Sequence, residues 1–221
     1  MTRPRNQPPT RNVPIEPERA ALLVVDVQNY CARRGEGELE GAGPEYDYYI
    51  DRVERMVLPN LQRLIAACRA NGVEVVYTVI ESLTADGRDR SLDHKHSDMH
   101  VPKGSRLGKV VDEIAPVGDE IVIPKTSSGV FNSTNMEYVL RNLGVEYLMC
   151  AGVFTNQCVE SAVRDAADRG FMVTTIEDCC ATKTKAWHDA SLDVLKGYSR
   201  IRSTDQVIAE LAPAQRKTAN R

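Results

Sequence analysis

The sequence lacks the long apolar runs and the one-sided charge that mark membrane proteins and nucleic-acid-binding proteins. Its 221 residues carry 28 Lys and Arg against 31 Asp and Glu, a formal net charge of −3. Because this near balance offers no basic surface, we expect neither a nucleic acid nor a membrane as a partner. A membrane-spanning helix needs about 20 consecutive apolar residues, whereas the apolar runs here, such as 20–25 and 147–154, have the length of buried strands.

The cysteines also lack the C-x-x-C spacing of zinc sites and redox motifs. The six cysteines therefore indicate reduced thiols, which are typical of a cytoplasmic protein. Residues 1–18 are mostly polar and rich in Pro and Arg, which predicts a flexible N-terminal arm and no export signal. We expect residues 19–212 to form a single domain and residues 213–221 to form a polar C-terminal tail.

Short apolar runs alternate with segments of helical periodicity along this domain. The runs of strand length are 19–26, 73–80, 120–123, 145–151, 171–176 and 198–201. The segments with helical spacing are 51–71, 108–114, 133–144, 157–169, 186–196 and 204–211, the last with Thr204 as its cap. This alternation, with right-handed crossovers, favours a doubly wound sheet. The pattern predicts a three-layer α/β fold with a mostly parallel, six-stranded sheet between layers of helices.

Three reactive side chains come directly after strands of the predicted sheet. Asp26 ends the first strand, Lys125 ends the third, and Cys158 opens the helix after the fourth. Doubly wound sheets bind ligands outside the carboxyl ends of their strands, where the strand order reverses. Each residue alone has an ordinary structural explanation, as a turn residue, a solvated cation or a core thiol. Their meeting at one edge of the sheet favours a catalytic site.

The three groups suit nucleophilic catalysis. A helix N-terminus and a nearby ammonium both favour the thiolate form of Cys158. An aspartate within reach accepts the thiol proton, and Lys125 keeps the carboxylate of Asp26 ionised. Two other interpretations remain open at this point. One is a thiol-based redox or thioester-forming enzyme that uses Cys158 or the adjacent Cys179 and Cys180, and the other is a binding protein without catalysis.

Three segments together resemble the signature blocks of the isochorismatase-like cysteine hydrolases. They are Leu22-Leu-Val-Val-Asp-Val-Gln-Asn29, Ile123-Pro-Lys-Thr-Ser-Ser-Gly-Val-Phe-Asn132 and Ala151-Gly-Val-Phe-Thr-Asn-Gln-Cys-Val-Glu-Ser-Ala-Val-Arg-Asp-Ala166. The resemblance covers residues 20–210 and implies the Rossmann-like fold of that superfamily, with no cofactor. Position by position, it implies that Asp26 is the general base, Lys125 the positioning cation and Cys158 the nucleophile.

The resemblance also implies a reaction and a substrate class. Members that keep the cysteine cleave amides, so we expect an amidohydrolase that cuts a C–N bond of a small linear amide or ureide through a cysteine thioester. Residues 90–95 and 101–105 resemble members that act on ureides, which favours biuret-, triuret- or ureidoacrylate-like substrates. A nicotinamidase-like or maleamate-like amidase is the alternative. The resemblance further implies a cis bond between Val153 and Phe154, and an oxyanion hole formed by the backbone N–H groups of Phe154 and Cys158.

Several side chains near the strand ends are candidates for substrate binding. The polar candidates are Asn29, Asn132 and Thr155, while Tyr30 and Phe131 are candidates for the pocket walls. Each polar residue is equally suited to a turn, and plain packing is the alternative for both rings. Lys183 follows the fifth strand, where one relative in the superfamily holds a substrate carboxylate with an arginine.

A metal site is the last possibility that the sequence raises. His94, His96 and His100 lie close together in the charged loop 81–104. The Asp-x-His pair with which nicotinamidases of this superfamily bind a metal is missing after the first strand, so we expect no metal and a surface or lid role for this loop. The superfamily also implies a homodimer or homotetramer whose subunits help to form each active site.

Overall fold

The computed structural model describes residues 10–212 and contains a six-stranded sheet in which neighbouring strands are parallel. The strands are β1 (Ala20–Val25), β2 (Glu74–Ile80), β3 (Ile121–Lys125), β4 (Tyr147–Val153), β5 (Met172–Ala181) and β6 (Arg200–Arg202). Their order across the sheet is β3-β2-β1-β4-β5-β6. The predicted doubly wound α/β fold is therefore confirmed, and the order reverses between β1 and β4.

Helices flank both faces of the sheet. They are α1 (Asn29–Ala32), α2 (Asp47–Arg52), α3 (Leu58–Ala70), α4 (Leu92–His96), α5 (Val130–Ser133), α6 (Met136–Asn142), α7 (Glu160–Asp168), α8 (Lys185–Leu195) and α9 (Thr204–Leu211). Strand β1 is buried throughout because alternate side chains enter two separate cores. Leu22 packs in the core that includes residues of α3 and α9, and Leu23 packs in the core that includes residues of α6 and α7.

Three predicted helices differ from the structure, and the one expected over 133–144 begins only at Met136. The helix expected over 51–71 begins earlier, since α2 continues through a π-helical turn at Val53–Val57 directly into α3. The helix expected over 108–114 is replaced by two short 3₁₀ turns, Arg106–Gly108 and Asp112–Ile114. Backbone pairing explains this last difference, because the Val111 N–H donates to the carbonyl of Val27 at 3.2 Å and holds the intervening chain extended.

Two further boundaries were also wrong. Strand β5 continues to Ala181, beyond the expected end at residue 176, because a register shift lets Gly152 and Val153 pair with its second half. The cap of α9 is Ser203 and not Thr204. The Ser203 side chain accepts the N–H of Gln206, whose own side chain accepts the N–H of Ser203.

Two residues near the end of the predicted N-terminal arm contact the domain. Ile15 is buried, and the Tyr147 hydroxyl donates to the Glu16 carboxylate at 2.8 Å. Ile15 and Glu16 therefore attach this part of the chain to the domain, whereas residues 10–12 are exposed. Residues 1–9 of the arm and the predicted tail 213–221 lie outside the described residues. Within 10–212, no helix has the length and apolar character that crossing a bilayer requires.

Candidate active site

Asp26 lies where the strand order reverses, directly after β1. Its backbone has a φ of +56°, a left-handed conformation that aspartate tolerates better than most residues. Its N–H donates to the Thr78 carbonyl at 3.0 Å, which ties the turn to β2. The close approach of β1 and β4 depends on Gly152, because a Cβ there would lie 2.1 Å from the carbonyl oxygen of Val25. The aspartate is therefore fixed by backbone contacts from both neighbouring strands.

Lys125 joins the other two reactive groups. Its side chain is 0 % exposed, and its Nζ lies 2.8 Å from Asp26 Oδ2 and 3.4 Å from Cys158 Sγ. Nζ also donates to the carbonyl of Ser127 at 2.9 Å. Burial alone would lower the pKa of Lys125, but the nearby Asp26 and Cys158 outweigh it and raise that pKa above its ordinary value. The lysine is therefore a fixed cation between an acid and a thiol.

The surroundings of Cys158 favour the protonated thiol, from which Asp26 is expected to accept the proton. It lies in the π-helical turn Thr155–Val159, which leads into α7, and is 5 % exposed. Burial raises the pKa of Cys158 to about 12; Lys125 opposes this rise, and the Asp26 carboxylate adds to it. The helix-terminus and ammonium effects are real but smaller than the cost of a buried anion. The thiol thus needs a base, and Asp26 is beside it.

Two residues that sequence reasoning missed hold the acid and its surroundings. The Thr78 hydroxyl donates to Asp26 Oδ1 at 3.0 Å, so this carboxylate is bonded from a second side. The buried Gln28 side chain bridges β2 and the following loop, because it accepts the Ile80 N–H and donates to the carbonyls of Ile80 and Leu107. A polar residue within the apolar run 75–80 was the available signal for Thr78.

Arg52 and His188, which sequence reasoning also missed, support the turn Thr155–Val159 that contains Cys158. The Nδ1 of buried His188 lies 2.9 Å from the Thr155 hydroxyl, and its Nε2 lies 2.9 Å from an Arg52 guanidinium nitrogen. Arg52 also donates to the carbonyls of Glu177 and Cys180 in β5. The Thr155 hydroxyl is therefore linked to α8 through His188 and to α2 through Arg52. No local sequence pattern predicts this network.

The peptide bond between Val153 and Phe154 is cis, in agreement with what the family resemblance implied. The Phe154 carbonyl accepts the N–H groups of Gln157 and Val159, on either side of Cys158. The Phe154 ring contacts Tyr49 of α2, with ring centroids 4.7 Å apart. Backbone bonds and ring packing thus fix the turn whose N–H groups are the candidate oxyanion hole.

Asn29, Tyr30 and Thr155, three of the candidate substrate-binding residues, are buried. Asn29 donates to the Arg106 carbonyl at 2.9 Å and accepts from Arg33, so its side chain links α1 to the loop 106–108. Tyr30 lies against Gly37, where a Cβ would meet the tyrosine ring at 2.5 Å. Thr155 is held by His188 as described above.

The other three candidates have different surroundings. Phe131 packs against Phe171, with centroids 6.1 Å apart, so the packing alternative describes its ring. Asn132 is exposed. Lys183 lies 3.6 Å from the Glu38 carboxylate and 4.5 Å from the ring centroid of Tyr46, so its charge is already paired. The contacts of Lys183 link the loop before α2 to the segment that follows β5.

The three histidines of segment 81–104 do not converge. His94 is buried, His96 is exposed, and the His100 ring lies against Gly87. Among residues 10–212, no group of three or more His, Cys, Asp and Glu side chains is arranged to hold a metal ion. All six cysteines are free and buried.

Comparisons with known proteins give a family and several relatives. The family model for the isochorismatase domain matches residues 20–206. The ureidoacrylate amidohydrolase of Agrobacterium fabrum is 30% identical over 194 residues, which cover 80% of this chain and 81% of the relative.

Two solved structures are similar over most of their length. A cysteine hydrolase from Pseudomonas syringae pv. phaseolicola has a TM-score of 0.80 at 24% identity, and the match covers 92% of this chain and 97% of that chain. An N-carbamoylsarcosine amidase from Thermoplasma acidophilum has a TM-score of 0.67 at 26% identity, and the match covers 85% and 97%. The likeness to the first shows a shared fold.

Proposed function

This chain belongs to the isochorismatase family of hydrolases, and from that premise we propose that it hydrolyses a C–N bond of a small linear amide or ureide through a cysteine thioester. One observation carries the proposal: the buried Lys125 ammonium lies within 2.8 Å of Asp26 and 3.4 Å of Cys158. A base, a nucleophile and a cation are thus joined at the carboxyl ends of parallel strands, where such folds bind ligands. The named activities of two relatives support an amide substrate.

The first half of the proposed reaction forms the thioester. The Asp26 carboxylate accepts the proton of the Cys158 thiol, and the sulfur adds to the substrate carbonyl carbon. The carbonyl oxygen becomes an oxyanion, which the backbone N–H groups of Phe154 and Cys158 stabilise. When the intermediate collapses, the C–N bond breaks, and protonated Asp26 gives its proton to the departing nitrogen. Ammonia or an amine leaves, and an acyl group remains on the sulfur.

The second half regenerates the enzyme. Asp26 is again a carboxylate, and it accepts a proton from the water that attacks the thioester carbon. The C–S bond breaks, the acid product leaves, and the proton returns from Asp26 to the sulfur. Lys125 keeps its proton throughout and stays beside whichever group carries the negative charge.

Ammonia release from a substrate panel tests the proposal. Biuret, triuret, ureidoacrylate, N-carbamoylsarcosine, maleamate and nicotinamide are each incubated with the wild-type protein, without added metal. We expect release from at least one ureide, its loss in Cys158→Ser, and a loss of about 10²–10⁴-fold in Asp26→Asn. Cys68→Ala is the matched control, because Cys68 is a buried thiol on α3 and contributes nothing to the reaction.

Mass spectrometry of the acyl-enzyme completes the test. A substrate-derived adduct on Cys158 during turnover supports the thioester. Full activity of Cys158→Ser or Asp26→Asn would contradict the mechanism, and silence of the wild-type protein on the whole panel would contradict the proposed substrate class.

A further inference from the structure

Segment 81–104 forms a loop that is bonded to the backbone around Lys125 at its start and in its middle, through the N–H groups of Glu81 and Ser91. The Ser82 N–H donates to the Val101 carbonyl at 2.9 Å, which closes the segment into a loop. The Ser91 N–H donates to the carbonyl of Thr126 at 2.9 Å, and Thr126 directly follows Lys125. Helix α4, which starts after Ser91, is therefore held at the carboxyl end of β3.

His94 is buried in this helix with both ring nitrogens unused. Its side chain is 1 % exposed, and neither Nδ1 nor Nε2 has a hydrogen-bond partner within the described residues. Buried polar groups in proteins almost always have a partner, because an unsatisfied one costs about 1–3 kcal/mol. The mechanism above does not use this imidazole. A ligand that bonds to His94 would remove the cost.

The electrostatic surroundings of His94 relate it to the reacting groups. Burial lowers the pKa of His94 most, the Lys125 ammonium lowers it further, and Asp93 and Asp26 act in the opposite direction. Arg90 also lowers it. The ring is therefore neutral at pH 7, with one N–H donor and one acceptor nitrogen.

We propose that His94 is a specificity-determining residue that binds the non-reacting end of the substrate, and that this end is a neutral carbamoyl group. This inference rests on the proposed function and narrows its substrate class to biuret-like molecules. A carbamoyl group carries both N–H donors and a carbonyl acceptor, so it satisfies either ring nitrogen, whereas a carboxylate only accepts. Lys183, the predicted cation for a carboxylate, is already paired with Glu38, and the Arg90 guanidinium already donates to the carbonyls of Gly87 and Met99.

Steady-state kinetics on three amides test the role of His94. Biuret has a distal carbamoyl group, ureidoacrylate has a distal carboxylate, and propionamide has no distal polar group. We expect His94→Phe to lower kcat/KM for biuret about tenfold to hundredfold, mainly through KM, and to leave kcat/KM for propionamide at its wild-type value. His94→Gln, which keeps a donor and an acceptor, should restore part of the biuret activity. Equal losses on all three amides, or none, would overturn the proposal.

The matched control is His96→Phe. His96 is exposed on the same helix, so its replacement changes helix α4 in the same way without changing the buried ring. We expect wild-type kinetics on all three amides from this variant. A biuret-specific loss in His96→Phe equal to that of His94→Phe would show that only the helix matters, and would overturn the proposal.

A binding measurement separates this inference from the proposed function. Calorimetry follows biuret binding to Cys158→Ala and to Cys158→Ala combined with His94→Phe, and no turnover is required. At least tenfold weaker binding in the double variant supports the role of His94 even if the wild-type protein releases no ammonia. Undetectable or equal binding overturns it.

A spectroscopic measurement leaves position 94 unchanged. With ¹⁵N-labelled histidine in Cys158→Ala, biuret should shift the ring-nitrogen resonances of His94 and leave those of His96 in place. Unshifted His94 resonances at saturating biuret would overturn the proposal, whether or not the His94→Phe variant folds.

Discussion

The hydrogen bonds of His188 hold the turn Thr155–Val159, which contains Cys158, and they are sensitive to acid. Its Nε2 lies 2.9 Å from an Arg52 nitrogen and its Nδ1 lies 2.9 Å from the Thr155 hydroxyl. A guanidinium only donates, so the contact with Arg52 assigns Nε2 as the acceptor and Nδ1 as the protonated nitrogen. A second proton on Nε2 would remove this acceptor and place two cations in contact. The folded protein therefore resists protonation of His188.

The size of this effect follows from the pKa. Burial, followed by the Arg52 charge, lowers the pKa of His188 from 6.5 to about 4. The unfolded chain takes up the proton near pH 6.5 and the folded chain only near pH 4, so the unfolded state binds more protons in between. Stability is therefore full above pH 6.5 and falls as the pH drops towards 4. The full difference corresponds to about 3 kcal/mol, most of which is lost by pH 4.5.

Urea unfolding at pH 7 and at pH 4.5 measures this loss. Acidic residues also weaken the fold at low pH, so the informative quantity is the difference between wild type and His188→Gln, which has no titrating ring. We expect the free energy of unfolding of the wild type to fall by about 2 kcal/mol more than that of the variant. His96→Gln, which removes an exposed histidine, should behave as the wild type does. Equal losses in wild type and His188→Gln would refute the assigned network.

Three other substitutions probe the catalytic residues and the close approach of β1 and β4. Thr78→Val removes the hydroxyl that donates to Asp26, and we expect kcat to fall about tenfold to hundredfold with an intact fold; unchanged steady-state kinetics would count against a positioning role. Gly152→Ala forces a Cβ against the Val25 carbonyl, so the free energy of unfolding in urea should fall by about 3 kcal/mol, and an unchanged midpoint would disprove the close approach. Lys125→Met leaves the buried Asp26 carboxylate without its cation, so the free energy of unfolding in urea should fall by about 3–5 kcal/mol. The double variant with Asp26→Asn should recover part of this loss, and identical losses in the single and double variants would argue against the ion pair.

The fold was predictable where a local pattern matches the physical cause. Strand β1 is an unbroken apolar run because its two faces both enter a core, and its boundary was found within a residue. The second half of β5 was missed because Glu177 and Asp178 interrupt the apolar run. Their carbonyls accept bonds from Arg52 and Asn60, which are far away in the chain. Contacts of that kind leave no periodic trace in the sequence.

The candidate site was likewise predictable from the sequence only in part. The proximity of Asp26, Lys125 and Cys158 was predictable because the ends of parallel strands meet at one edge, whatever their separation in the sequence. The raised pKa of Cys158 was not predictable from its position at the start of a helix beside an ammonium, because the burial that opposes both effects depends on tertiary packing. Arg52 and His188 act through tertiary contacts alone, so no spacing rule reaches them.

A buried, protonated thiol is still a suitable nucleophile, because the proposed proton transfer leaves the charge of the cluster unchanged. At rest Asp26 and Lys125 carry opposite charges and Cys158 is neutral. After transfer Asp26 is neutral, and the negative charge is on sulfur, which lies 3.4 Å from the same ammonium. The raised pKa of Cys158 expresses the cost of losing a proton to solvent, which leaves the buried cluster with a net charge. Transfer to Asp26 avoids that cost. The Lys125 ammonium therefore contacts the negative charge on Asp26 before the transfer and the negative charge on the Cys158 sulfur after it.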